Sequence, residues 1–159
     1  MSESNEALHE IRMSAKGRTL LVGRRIGQEK FDMLGAALRI EAKPQKYSTG
    51  GNVLPWEAGL LGKFKAGDFD SILLHRFLYK RVKEYIEDPV RVLEEVKRIL
   101  AENGRLVVNS FLLDDVTNSF RSADSFFTEE EMKRVLSNQN FRKMSCRVIG
   151  EAHIFVCEK

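Results

Sequence analysis

Between Asp68 and Phe111 the chain reads as strand, helix and strand in succession, and no other stretch limits the available folds so sharply. Phe69-Asp70-Ser71-Ile72-Leu73-Leu74 is short, mostly apolar and β-biased toward its end, which is the pattern of a buried strand. Asp88 followed by Pro89 is a helix start: an acidic N-cap, then a proline at the first helical position, where its missing N–H costs nothing. Val92, Leu93, Val96, Ile99 and Leu100 then recur on one helical face, and Asn103-Gly104 is predicted to close the helix with glycine in the left-handed position. Arg105 to Phe111 resumes as a strand. Two such strands joined by one crossover helix make a right-handed βαβ unit, so the chain is expected to build a parallel sheet.

The 159 residues are enough for one domain with a substantial core, and they divide into an N-terminal helix or leader over 1–17 and a single domain over 18–159. With 43% hydrophobic and 31% charged residues the balance is that of a soluble globular protein, and no apolar run approaches the roughly 20 residues a membrane span needs. The acidic start, Met-Ser-Glu-Ser-Asn-Glu, lacks the basic and apolar regions of a secretory signal, so the expectation is a cytoplasmic protein with no membrane partner. Cys146 and Cys157 have no CxxC spacing; they read as buried thiols, and no metal site is suggested. A formal charge of +3 does not by itself argue for nucleic acid.

Glu6 to Ala15 forms either a short amphipathic helix, with Leu8 and Ile11 on one side, or a frayed leader. Thr19 to Gly23 is a strong strand that leads through Arg24-Arg25-Ile26-Gly27 into helical spacing from Gln28 to Leu38. Leu38 to Ala42 alternates, however, and reads equally as a second strand ended by Pro44. From Lys43 to Gly67 periodicity disappears, with turn chemistry at Ser48 to Asn52 and with Trp56 and Phe64 as anchors to the core. Thr128 with Glu131 is a capping box, and Phe127 with Met132 a hydrophobic staple, predicting a helix to about Leu136. Phe141 to Ile149 and His153 to Cys157 then flank Gly150-Glu151 as an antiparallel hairpin at one edge of the sheet.

This order of elements resembles the class I S-adenosylmethionine-dependent methyltransferases over most of the chain. The residues that carry the likeness are Phe69 to Leu74, like the family's fourth strand, and Asp88-Pro89 through Gly104-Arg105-Leu106-Val107-Val108, like its helix and fifth strand. Phe127 to Glu131, Asn140-Phe141 and the terminal hairpin match its last elements. The resemblance implies an α/β, Rossmann-like methyltransferase fold: a mainly parallel sheet with an antiparallel C-terminal hairpin, truncated in the third-strand region because Lys43 to Gly67 is too short for a helix and a strand. It implies S-adenosylmethionine as cofactor, held by Gly23 and Gly27 in the turn after the first strand, by Glu41 as acceptor for ribose hydroxyls roughly 20 residues on, and by His75 just past the fourth strand. Leu21 stands where the family has an acidic residue, and Arg25 where it has a further glycine. No catalytic residue is assigned, since methyl transfer from a sulfonium needs positioning more than a dedicated acid or base.

Each of these residues has an ordinary reading beside the functional one. Gly23 to Gly27 is a nucleotide-cradling turn or a plain turn, and Glu41 a ribose ligand or a solvated strand end. His75 is a base or substrate contact, or a ring packed under a loop. Trp56 stacks a base or caps the core. Lys80, Arg81 and Lys83, near Arg76 and Tyr79, form an RNA-facing patch or a solvated helix face diluted by Glu84 and Glu87. Two functions are compatible with these residues: a divergent methyltransferase of unknown substrate, or an inactive scaffold of the same fold that binds a protein partner. Nucleic-acid binding is a third, weaker reading.

Overall fold

The computed structural model describes residues 4–23, 27–41, 53–55, 60–78, 89–110 and 127–159. Strands β1 (Thr19–Gly23), β2 (Leu38–Glu41), β3 (Val53–Pro55), β4 (Phe69–His75), β5 (Leu100–Ser110), β6 (Arg142–Ile149) and β7 (Ala152–Glu158) form one sheet in the order β3-β2-β1-β4-β5-β7-β6. The pairs from β3 to β5 are parallel, whereas β7 runs antiparallel to both β5 and β6. The other regular elements among the described residues are the helices α1 (Asn5–Ser14), α2 (Gln28–Leu34), α3 (Pro89–Ile99) and α4 (Glu129–Asn138) and a short 3-10 helix at Leu60–Lys63. This is the α/β, Rossmann-like arrangement expected from the sequence, with its antiparallel C-terminal hairpin.

Strand alternation divides the core in two. Leu20, Val22, Ile40, Ile72, Leu74, Leu106, Val108 and Phe155 belong to one cluster, together with Val92, Leu93, Val96 and Ile99 of α3 and Met132 and Leu136 of α4. Leu21, Leu73, Val107 and Ile154 belong to the other, with Leu8 and Ile11 of α1 and Phe31 and Leu34 of α2. Because β1, β4 and β5 lie inside the sheet, both of their faces are apolar, which is why they read as continuous runs rather than alternating ones.

The truncated third-strand region still contributes a strand of three residues, Val53–Pro55, which pairs in parallel with Arg39 to Glu41. The second helix stops at Leu34 and not at Leu38, because Gly35 takes a left-handed φ of 66° and its N–H closes on the Asp32 carbonyl; Leu38 opens β2. The third helix ends at Ile99, since Leu100 already pairs with Phe69, and the left-handed residue is Asn103 (φ 61°) rather than Gly104. Gly104 is needed for space: a Cβ there would lie 2.7 Å from the Ala101 carbonyl oxygen and 3.2 Å from that of Asp70, where β5 bulges against β4. Lys97 donates from Nζ to the Gln139 carbonyl at 3.0 Å, tying α3 to the end of α4. Asp88, Ala42, Trp56, Phe111 and the Tyr79 to Glu87 basic stretch lie outside the described residues.

The capping box before α4 and the terminal hairpin hold, whereas Cys146, expected to be buried, is half-buried. The Thr128 Oγ1 accepts from the Glu131 N–H at 3.1 Å while the Glu131 carboxylate accepts from the Thr128 N–H at 3.2 Å. Phe64 meets Phe69 edge-on at 5.2 Å between centroids, anchoring the turn before β4.

Candidate functional site

One row of the sheet collects the residues singled out above. Gly23 is paired with Glu41 on one side and with His75 on the other; Glu41 continues to Pro55, and His75 to Asn109. β1, β2, β3 and β4 all end on this row. It is therefore the carboxyl edge of the parallel sheet, and the strand order reverses direction there between β1 and β4, the place where open α/β sheets leave a crevice for ligands.

His75 is 2% exposed and Asn109 is 3% exposed, and alternation places both on the face covered by α1 and α2. Immediately beyond His75 the backbone turns through Arg76, whose φ of 51° lies in the left-handed region that an L-residue enters at a cost of about 1 kcal/mol or more. The Arg76 N–H donates to the Asn109 carbonyl at 2.8 Å, so this turn locks the end of β4 to β5. Phe77 and Leu78 then drop into the core on the α3 side. The short strained turn leaves His75 as the last strand residue on its face.

Gly27 is the N-cap of α2 with φ −63° and ψ 163°, a conformation open to any residue, and a Cβ there would meet nothing within 4 Å. Among the described residues neither backbone nor packing requires glycine at 27. Arg25 lies outside the described residues. Leu21 is fully buried in the cluster beneath α1 and α2, so position 21 does not front the crevice. Arg39, two residues before Glu41, was not foreseen: it is 1% exposed, with its guanidinium 5.1 Å from the centre of the Phe31 ring. Asn109 was not singled out either, although an asparagine inside an apolar strand run is an unusual choice that could have marked it.

A second group of polar side chains gathers on α4 and the hairpin. Lys133 pairs with Glu129 at 3.1 Å, and this hydrogen bond and charge, with help from Cys146, hold the Glu129 carboxyl below its ordinary value. Burial pushes the Cys146 thiol up to about 11, which suppresses the thiolate at neutral pH. This is an exposed helix pair beside an inert thiol. No group of three or more metal-ligating side chains occurs among the described residues.

The fold defines a class: an open, doubly wound α/β sheet whose last strand is inserted antiparallel. Solved structures make it more specific. A methyltransferase from Archaeoglobus fulgidus, dependent on S-adenosylmethionine, matches with a TM-score of 0.75 at 13% identity, over 98% of this chain and 92% of that one. A second, from Thermotoga maritima, gives 0.68 at 18% identity over 97% and 94%. The complex between the Haloferax volcanii Trm112 methyltransferase activator and a methyltransferase gives 0.69 at 12% identity over 97% and 92%. No family model and no curated protein matches the sequence. The chain has the class I S-adenosylmethionine-dependent methyltransferase fold. No helix among the described residues is long and apolar enough to cross a membrane.

Proposed function

We propose that this chain binds S-adenosylmethionine at the carboxyl ends of β1, β2 and β4 and transfers its methyl group to an acceptor molecule. The observation that carries the proposal is the register row, which sets Glu41, Gly23 and His75 side by side on three adjacent strands at the switch point of the sheet. When bound, the cofactor supplies an electrophilic methyl group on a sulfonium. The tasks left to the chain are binding and alignment, which convert a bimolecular displacement into an effectively unimolecular one. Glu41 accepts hydrogen bonds from the ribose hydroxyls, Gly23 and Gly27 let the ligand approach the backbone, and His75 bounds the crevice where the acceptor must arrive.

Calorimetric titration with S-adenosylmethionine and S-adenosylhomocysteine tests this directly. Glu41→Ala is expected to weaken binding of both by about 1–3 kcal/mol, the scale of hydrogen bonds to a charged group, with the melting temperature of the free protein unchanged. Tight binding indifferent to Glu41→Ala would overturn the assignment of Glu41.

A second reading is favoured by one observation. Leu21 fills the position of the family's acidic residue and is buried in the apolar cluster beneath α1 and α2, where it offers no carboxylate to a ligand. A protein that has lost the cofactor would keep the sheet as a scaffold for a protein partner. Absence of heat and of any thermal shift with both S-adenosyl ligands at millimolar concentration would establish that reading over the first.

A further inference from the structure

The amino edge of the sheet, opposite the row of strand ends, holds a cavity of about 170 Å³ where the ends of α1 and α2 meet the start of β1. Arg12 and Lys16 line it together with Gly17, Thr19 and Gly35. Thr19 and Gly23 are the two ends of β1, so the cavity lies about 13 Å from the candidate crevice.

Neither the Arg12 guanidinium nor the Lys16 ammonium has an ion pair or hydrogen bond among the described residues. Cations near a helix end ordinarily serve its open carbonyls. Here other groups fill that task. Arg105 Nη1 donates to the Ser14 carbonyl at 3.4 Å, and the Ala15 and Gly35 N–H groups close on the Arg12 and Asp32 carbonyls. Asp70, the carboxylate behind Gly17, accepts the Arg18 N–H at 2.8 Å and pairs with neither cation. Both cations are carried on ordered supports. The Lys16 N–H donates to Ser71 Oγ and the Lys16 carbonyl accepts from the same hydroxyl, each at 2.8 Å, and Ser71 is fully buried. The Arg12 guanidinium lies across Gly35, its Nε 3.4 Å from where a Cβ would stand.

We infer that this cavity binds a phosphate group, free or as a small monoester, with Arg12 as a two-pronged donor and Lys16 as a second positive charge. Two cations facing one cavity repel each other, and a bound dianion relieves that repulsion. Chloride relieves it less and offers no pair of oxygens to the guanidinium fork. The inference goes beyond the S-adenosyl reading and does not depend on it.

Titration of the full chain with sodium phosphate, followed by amide NMR at constant ionic strength with sodium chloride as the reference, tests it. The Gly17 and Gly35 amide shifts are expected to saturate with phosphate and not with chloride. Arg12→Gln and Lys16→Gln are each expected to weaken phosphate binding about fivefold or more. Both side chains are exposed, so the melting temperature stays unchanged, and Lys63→Gln, outside the cavity, leaves binding as in wild type. Glycerol phosphate is the second probe: tighter binding than inorganic phosphate assigns the cavity to a monoester, and equal binding assigns it to free phosphate. Shifts that follow ionic strength alone, or phosphate binding indifferent to both variants, overturn the inference. Displacement of phosphate by S-adenosylhomocysteine also overturns it, by placing the anion in the crevice. Absence of S-adenosylhomocysteine binding overturns the S-adenosyl reading and leaves this inference standing.

Discussion

Leu21 shows how one residue separates two explanations of the same sequence. By alignment with a methyltransferase turn it is an aspartate gone missing, and restoring it would be expected to restore a ligand contact. The structure puts its side chain at 0% exposure among Leu73, Val107 and Phe31. A carboxylate there would be desolvated with no partner, so Leu21→Asp is expected to destabilise the protein by about 3 kcal/mol or more, read as a shift of the denaturant midpoint at pH 7. Retained stability together with tighter S-adenosylhomocysteine binding would show that position 21 reaches the crevice after all. Glu41 and His75 were legible as strand-end polar residues, but their adjacency was not. That depends on the pairing of β2 and β4 with β1, and no short-range signal encodes pairing between strands so far apart in sequence.

At the level of elements, local chemistry set the starts of helices more securely than their ends. The capping box at Thr128 and the proline at 89 are self-contained signals, since each satisfies or removes a backbone donor within one turn. The end of a helix, by contrast, competes with the next element of the chain for the same residues. Leu38 and Leu100 fit a helical stripe, and both were drawn into strands because a neighbouring strand offered a full ladder of hydrogen bonds. The buried face of α3 is Val92, Leu93, Val96 and Ile99. Leu93→Ala or Val96→Ala is accordingly expected to cost about 2–4 kcal/mol in denaturant melts, against a near-silent change for exposed Glu94→Ala. Equal losses at all three positions would mean that α3 buries a different face. Lys97 is not a fit control, because its ammonium also lies 5.9 Å from the Phe141 ring while bonding the Gln139 carbonyl.

For the whole molecule, the buried thiol at the end of β7 couples stability to alkaline pH. Burial pushes Cys157 up to about 12 from the ordinary 9, and its Sγ donates to the Leu106 carbonyl at 3.8 Å. Because the unfolded chain releases this proton first, the contribution is whole below about pH 9 and is lost as pH rises toward 12. Within that window wild type should lose up to about 1.4 kcal/mol per pH unit more than Cys157→Ala, measured by denaturant melts at matched pH. Parallel slopes for the two proteins would place the thiol in contact with solvent. The short-range content of the chain, its apolar periods, caps and turn residues, was enough to specify the βαβ unit, the terminal hairpin and hence the fold class, because each of those features closes its own hydrogen bonds nearby. Three things were decided only in three dimensions: the survival of β3, the burial of Leu21, and the row that joins Glu41, Gly23, His75 and Asn109. A three-residue parallel strand has no periodicity to detect and exists only because β2 lies beside it, and a crevice at the edge of a parallel sheet is assembled from strand ends whose register is set by packing on both faces at once.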